Sequence, residues 1–139
     1  MKIDIVGNAS DAISGYSPVV INEDGALDMF NISDSECTEI RANGIVNKFK
    51  ASQLEQSLTS VLKKIRLGGK ITISGLDCNI LSRSLVSGDI DESSFSAIVE
   101  NSNSISSLKT VSKIIQTQGL KIQTQRISGY SYELVAVRD

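Results

Sequence analysis

The chain has 139 residues, of which 40% are hydrophobic and 22% charged, with a formal net charge of −2 at pH 7. That length encloses one core, so a single domain over residues 1–139 is expected, and the composition excludes a disordered chain. The near balance of charge gives no nucleic-acid signal, no run is long or apolar enough to span a membrane, and MKIDIVGN reads as a strand instead of a secretory leader, so the cytoplasm is the expected location.

Taken in chain order, Lys2 to Val6 form a first strand and Pro18 to Ile21 a second. The polar connection between them, with Gly15, is short for a full crossover helix, so this end of the chain is compressed. Asn22 to Ser35 is mostly turn-like, and Cys37 to Ala42 reads as a short third strand of mixed polarity. Leu54, Leu58, Val61, Leu62 and Ile65 then recur at the spacing of one helical face, with Ser52 and Glu55 as an S-x-x-E capping signal and Gly68-Gly69 as the helix stop. Beyond the glycines, Lys70, Thr72 and Ser74 alternate with Ile71 and Ile73, the two-residue period of a strand packed on one side, which ends at Gly75-Leu76-Asp77.

Asn79 to Ser104 is rich in Ser, Asn and Asp with short apolar clusters, and reads as broken helices in a long excursion. Leu108, Val111, Ile114 and Ile115 mark another amphipathic helix, stopped at Gly119. Lys121 to Ile127 and Tyr132 to Val137 alternate around Gly129-Tyr130-Ser131, an antiparallel terminal hairpin. Alternating strands and helices predict an open, twisted, mostly parallel α/β sheet that finishes in a reversed ribbon, and in such sheets ligands collect at the carboxyl ends of the strands.

Cys37 and Cys78 belong to no C-x-x-C pair, so neither zinc nor dithiol chemistry is signalled. The chain has no histidine, which removes the commonest general base, the Ser-His-Asp triad and the usual metal ligand, so no metal site is expected. Tyr16, Tyr130 and Tyr132 are too scattered for a nucleic-acid stacking platform.

With these elements placed, nearly the whole chain resembles the class I S-adenosylmethionine-dependent methyltransferases, in particular short members with a compact N-terminal region. The helix that precedes the family's fifth strand often ends L-K-P-G-G-R-L; here Ile65-Arg66-Leu67-Gly68-Gly69-Lys70-Ile71 leads to Gly75-Leu76-Asp77, with Leu67 in place of the proline. SLKTVSKIIQTQGLKIQTQRISGYSYELVAVR is similar to the family's last helix and closing hairpin. The resemblance implies a Rossmann-like methyltransferase fold with a reduced N-terminal half, and S-adenosylmethionine as cofactor.

The N-terminal half departs from the family where the cofactor is held. Short members carry L-N-L-G-C-G where this chain reads Ile3-Asp4-Ile5-Val6-Gly7-Asn8, so one glycine of the loop remains, shifted by one place. The family acid that grips the ribose hydroxyls aligns near Val20, and Glu23 or Asp24 is the nearest carboxylate able to stand in. LDMFNISDSECTEIRANGIVNKF is similar to the family's D-L-x-x-L-P-F segment, which puts Asp28 toward adenine and Asn43 at the methyl-transfer side, while Val46-Asn47-Lys48 replaces the family's L-E-H. The resemblance therefore implies cofactor contacts at Gly7, Asn8, Glu23, Asp24, Asp28 and Asn43; the bland alternatives are strand-ending turns and capping acids.

Methyl transfer from a sulfonium needs alignment more than acid-base groups, so the missing histidine does not exclude it. The lost glycines and ribose carboxylate weigh more, the latter about 1.5–3 kcal/mol for a charge-assisted bond. Two functions follow: a methyltransferase with a degenerate cofactor loop and an unnamed acceptor, or a catalytically inactive module of that fold that binds a protein partner or assembles as a homo-oligomer. Convergence of the six residues on one crevice favours the first, and a filled crevice the second.

Overall fold

The alternating residues sort onto the two faces of one six-stranded sheet, seen in a computed structural model that describes all residues 1–139. The strands are β1 (Lys2–Val6), β2 (Ser17–Val20), β3 (Cys37–Asn43), β4 (Ile65–Leu76), β5 (Lys121–Ser128) and β6 (Ser131–Val137), in the order β2-β1-β3-β4-β6-β5. The first four are mutually parallel, and β6 runs antiparallel to both β4 and β5. This is the mostly parallel α/β sheet with an antiparallel terminal hairpin that the alternation predicts.

One face carries Ile3, Ile5, Ile40, Ala42, Ile71, Ile73, Leu134 and Ala136, all essentially buried. Two helices cover it: α1 (Leu54–Leu62) through Leu54, Leu58, Val61 and Leu62, and α4 (Leu108–Thr117) through Val111 and Ile115, all in one apolar cluster. The other face is polar. Lys2, Glu39 and Lys70 stand side by side across β1, β3 and β4, and the Glu39 carboxylate meets Lys2 Nζ at 3.4 Å and Lys70 Nζ at 3.2 Å.

Parallel sheets are usually covered on both faces, and their strands then read as continuous apolar runs. The strict alternation of β4 fits a sheet covered on one side only. Residues 7–16 explain why, since they join two parallel strands with a single 3₁₀ turn at Ala9–Asp11 where a crossover helix would ordinarily lie.

Four local expectations are corrected. Ser52 does not cap α1, because Ala51–Gln53 forms a 3₁₀ turn and Gln53 precedes the helix without a side-chain cap bond. Gly68-Gly69 does not stop the helix. α1 ends at Leu62, with Lys63 N donating to Thr59 O, and Ile65 already belongs to β4 instead of the helical face.

The two glycines lie inside β4, where Cys37 pairs with Ile65 but Glu39 pairs with Lys70, so Arg66 to Gly69 bulge out of the ladder. Gly68 has φ +80°, and a β-carbon on Gly69 would fall 2.9 Å from Cys37 O. Glycine serves the bulge there, which has the same local signature as a helix stop. Lastly, the terminal turn is Gly129-Tyr130 alone, since Ser131 already pairs with Ser128.

The excursion resolves into α2 (Cys78–Ser87) and α3 (Glu92–Glu100), the broken helices expected. Leu81 is their one buried residue, so this pair stands off the main core. No helix in the chain is long and apolar enough to cross a membrane.

Candidate functional site

Strand order reverses at β1, which lies between β2 and β3, so the carboxyl ends of β1 and β3 flank the switch point where an open α/β sheet receives ligands. Gly7 follows β1 there. Above it lies a cleft of about 420 Å³ lined by Glu23, Lys48, Glu100, Asn101 and Asn103, without an apolar wall. Lys48 Nζ sits 2.7 Å from the point that a β-carbon on Gly7 would occupy.

The segment returning from α3 is stitched across this end of the sheet. Asn103 Nδ2 donates to Glu23 O at 2.6 Å and to Lys48 O at 2.7 Å, while the Asn103 and Ser104 amides both donate to Asn47 O. Ser104 Oγ donates to Phe49 O at 2.6 Å. Asn47, itself buried, completes the stitch: its Nδ2 donates to Ser104 O and its Oδ1 accepts from Leu76 N at 3.0 Å. A carboxamide suits this position because it is both donor and acceptor, which a buried aliphatic side chain would not be.

Asp77, at the end of β4, is 5% exposed and faces two helix starts at once. Its Oδ2 accepts from Ile80 N in the first turn of α2 at 2.9 Å, and its Oδ1 from Leu108 N, the first residue of α4, at 2.7 Å. A carboxylate between two helix N-termini complements both dipoles and fills one orphan amide on each. Nearby, burial first and then the charge of Asp77 push the Tyr132 hydroxyl well above the ordinary tyrosine range.

Of the six residues singled out from the sequence, the structure brings Gly7 and Glu23 to the switch-point cleft through Lys48 and Asn103. Asn8 caps the 3₁₀ turn, its Oδ1 accepting from Ser10 N and Ser10 Oγ. Asp24 and Asp28 each accept from an amide two residues on, Ala26 N and Phe30 N, which makes each of them a local turn former. Asn43 is exposed, and its Oδ1 accepts from Ser74 Oγ at 3.4 Å; Ser74 in turn lines a separate cleft of about 540 Å³ beside the terminal hairpin.

Sequence reasoning missed Lys48 and Asn103 as site residues. Lys48 had a signal, since it stands in the Val46-Asn47-Lys48 triplet that departs from L-E-H. Asn103 had none, because it joins Glu23 and Lys48 only through chain separations of 80 and 55 residues.

No protein-family model matches the sequence, and no curated protein matches it either. Solved structures do. An O-methyltransferase family protein from Burkholderia thailandensis is 14% identical with a TM-score of 0.66, over 99% of this chain and 43% of its own. The PH0226 protein from Pyrococcus horikoshii OT3 is 14% identical with a TM-score of 0.68, over 99% of this chain and 82% of its own. A SAM-dependent methyltransferase from Archaeoglobus fulgidus is 12% identical with a TM-score of 0.63, over 97% of this chain and 85% of its own. This chain thus spans less than half the length of the Burkholderia protein. At such identities the likeness is one of fold, and the fold is the Rossmann-like fold of class I methyltransferases.

Proposed function

We propose that this chain, which carries the class I methyltransferase fold, serves as a binding or assembly module and does not transfer methyl groups. One observation carries the reading: the Lys48 ammonium group lies against Gly7 at the switch point, where a cofactor in this fold needs open glycine backbone. Support also comes from Asn8, Asp24 and Asp28, each of which gives a side-chain oxygen to its own turn. No hydrophobic or aromatic residue lines the cleft, so it offers no apolar slot for a flat adenine ring. The partner in this reading is another protein or a second copy of the chain.

Calorimetric titration of the native chain with S-adenosylmethionine and with its demethylated product tests this. The expected result is no heat at millimolar ligand. Micromolar binding of either compound overturns it.

A second reading has one observation in its favour. The cleft is lined by Glu23, and its wall residue Lys48 reaches Gly7; Glu23 and Gly7 are two of the residues the family resemblance marks as cofactor contacts. In that reading Glu23 takes the ribose hydroxyls, with Asp24, Asp28, Asn8 and Asn43 as further contacts, and the chain is an S-adenosylmethionine-dependent methyltransferase. The same titration decides between the two.

A further inference from the structure

The structure assigns Lys48 as a built-in plug: its side chain takes the space beside the Gly7 backbone, at the edge of the open cleft, where a ligand at the switch point would meet bare glycine. This rests on the non-catalytic reading above and names the residue that enforces it.

Gly7 is absent from the positions with positive φ, so its backbone conformation does not demand glycine. What distinguishes the position is the room left by the missing β-carbon, and Lys48 Nζ occupies that room at 2.7 Å. The lysine backbone is held on three sides. Lys48 N donates to Ile45 O, its carbonyl oxygen accepts from Asn103 Nδ2, and that carbonyl lies so near Gly25 that a β-carbon there would fall 2.6 Å from it.

The side chain is different. It forms none of the three ion pairs in the structure, although Glu23 and Glu100 line the same cleft, and the ammonium group of this half-buried residue donates no bond to the protein's own carboxylates. A side chain placed by a fixed backbone, but tied by no bond of its own, contributes occupancy and little else. Removing it should therefore open the crevice and leave the fold standing.

The test is calorimetry with the demethylated product, S-adenosylhomocysteine, on the native chain, Lys48→Ala and Lys48→Met, with melting curves to confirm that all three fold alike. Lys48→Ala is expected to bind at least about tenfold more tightly than the native chain. Lys48→Met, which keeps most of the bulk of the side chain but is one atom shorter and uncharged, is expected to stay as silent as the native chain.

A Lys48→Ala titration identical to that of the native chain overturns the plug and leaves the non-catalytic reading intact. Tight binding by the native chain that Lys48→Ala weakens overturns both, because the lysine would then be an anchor. Opening by Lys48→Met to the same degree as Lys48→Ala also overturns it, since filling would not be the cause.

Discussion

At the lower end of the sheet, where the parallel strands begin, Arg138 donates from Nη2 to Leu62 O at 2.9 Å, from Nε to Ile65 O at 3.0 Å and from Nη1 to Gln118 O at 3.1 Å. One guanidinium thereby closes the C-terminal ends of α1 and α4 and the start of β4. At the upper end, Asn47, Asp77, Asn103 and Ser104 perform similar stitching, but Lys48 there keeps an ammonium group without an ion pair beside Glu23 and Glu100. The two buried side-chain oxygens without a partner, Ser106 Oγ and Tyr132 OH, also belong to this upper end. The lower end is architecture throughout. The upper end carries polar groups beyond those its stitching uses: the Lys48 ammonium group, Ser106 Oγ and the Tyr132 hydroxyl.

The comparison breaks most visibly if the lower clamp proves dispensable. Arg138→Ala removes three charge-assisted bonds to helix-terminal and strand carbonyls, and a loss of about 3–5 kcal/mol is expected in a denaturant midpoint, with the slope unchanged. Arg138→Lys should recover only part of it, since one ammonium group cannot span three carbonyls fixed in a fork. A loss under about 1 kcal/mol would mean that water serves these carbonyls as well as the guanidinium does.

The upper end sharpens the contrast through Asp77. Asp77→Ala strips one amide partner from α2 and one from α4, and should cost about 2–3 kcal/mol. Asp77→Asn should cost less, because the carboxamide oxygen keeps a single cap while the favourable charge at both helix starts is lost. Urea melts of the two variants check the order. If Asp77→Asn were the more damaging, the two-helix assignment would fail.

These ends also show what was legible in the sequence. The core strands could be read because Ile71 and Ile73 alternate with Lys70, Thr72 and Ser74, and that period follows directly from one covered and one open face. The terminal hairpin could be read for the same reason. Gly68-Gly69 misled because a glycine pair ends helices and makes bulges alike, and only the pairing of Cys37 with Ile65 and of Glu39 with Lys70 tells them apart.

Among the site residues, Asn8, Asp24 and Asp28 carry local signals that belong to local turns. Glu23 lines the cleft and Gly7 lies against Lys48, yet the walls that join them come from Lys48 and Asn103, whose proximity exists only after β1, β3 and the excursion are folded together. Arg138, one residue from the chain's end, gave no sign of its three partners for the same reason.

The smallest effect is expected on the open face, midway between the two ends. The neighbouring Tyr16 hydroxyl first, and then Lys70 and Lys2, hold the Glu39 carboxyl below its usual range against the opposing pull of partial burial. Because its folded value is depressed, the stabilisation it supplies is complete above the unfolded carboxylate value of about 4.3 and is lost as pH falls through the lower folded value. Above that window Glu39→Gln should be less stable than the native chain by under about 1 kcal/mol, the size expected of solvent-facing ion pairs. At more acid pH the two should converge, since a protonated glutamate and a glutamine then present equally neutral side chains to Lys2 and Lys70. High salt should shrink the difference at neutral pH as well, because it screens the Lys2–Glu39–Lys70 row but leaves the Arg138 clamp and the Asp77 caps nearly untouched. A Glu39→Gln deficit that persisted unchanged at pH 3 and in molar salt would show that this residue stabilises the sheet by packing, and the open face would then have no electrostatic substitute for its missing helix.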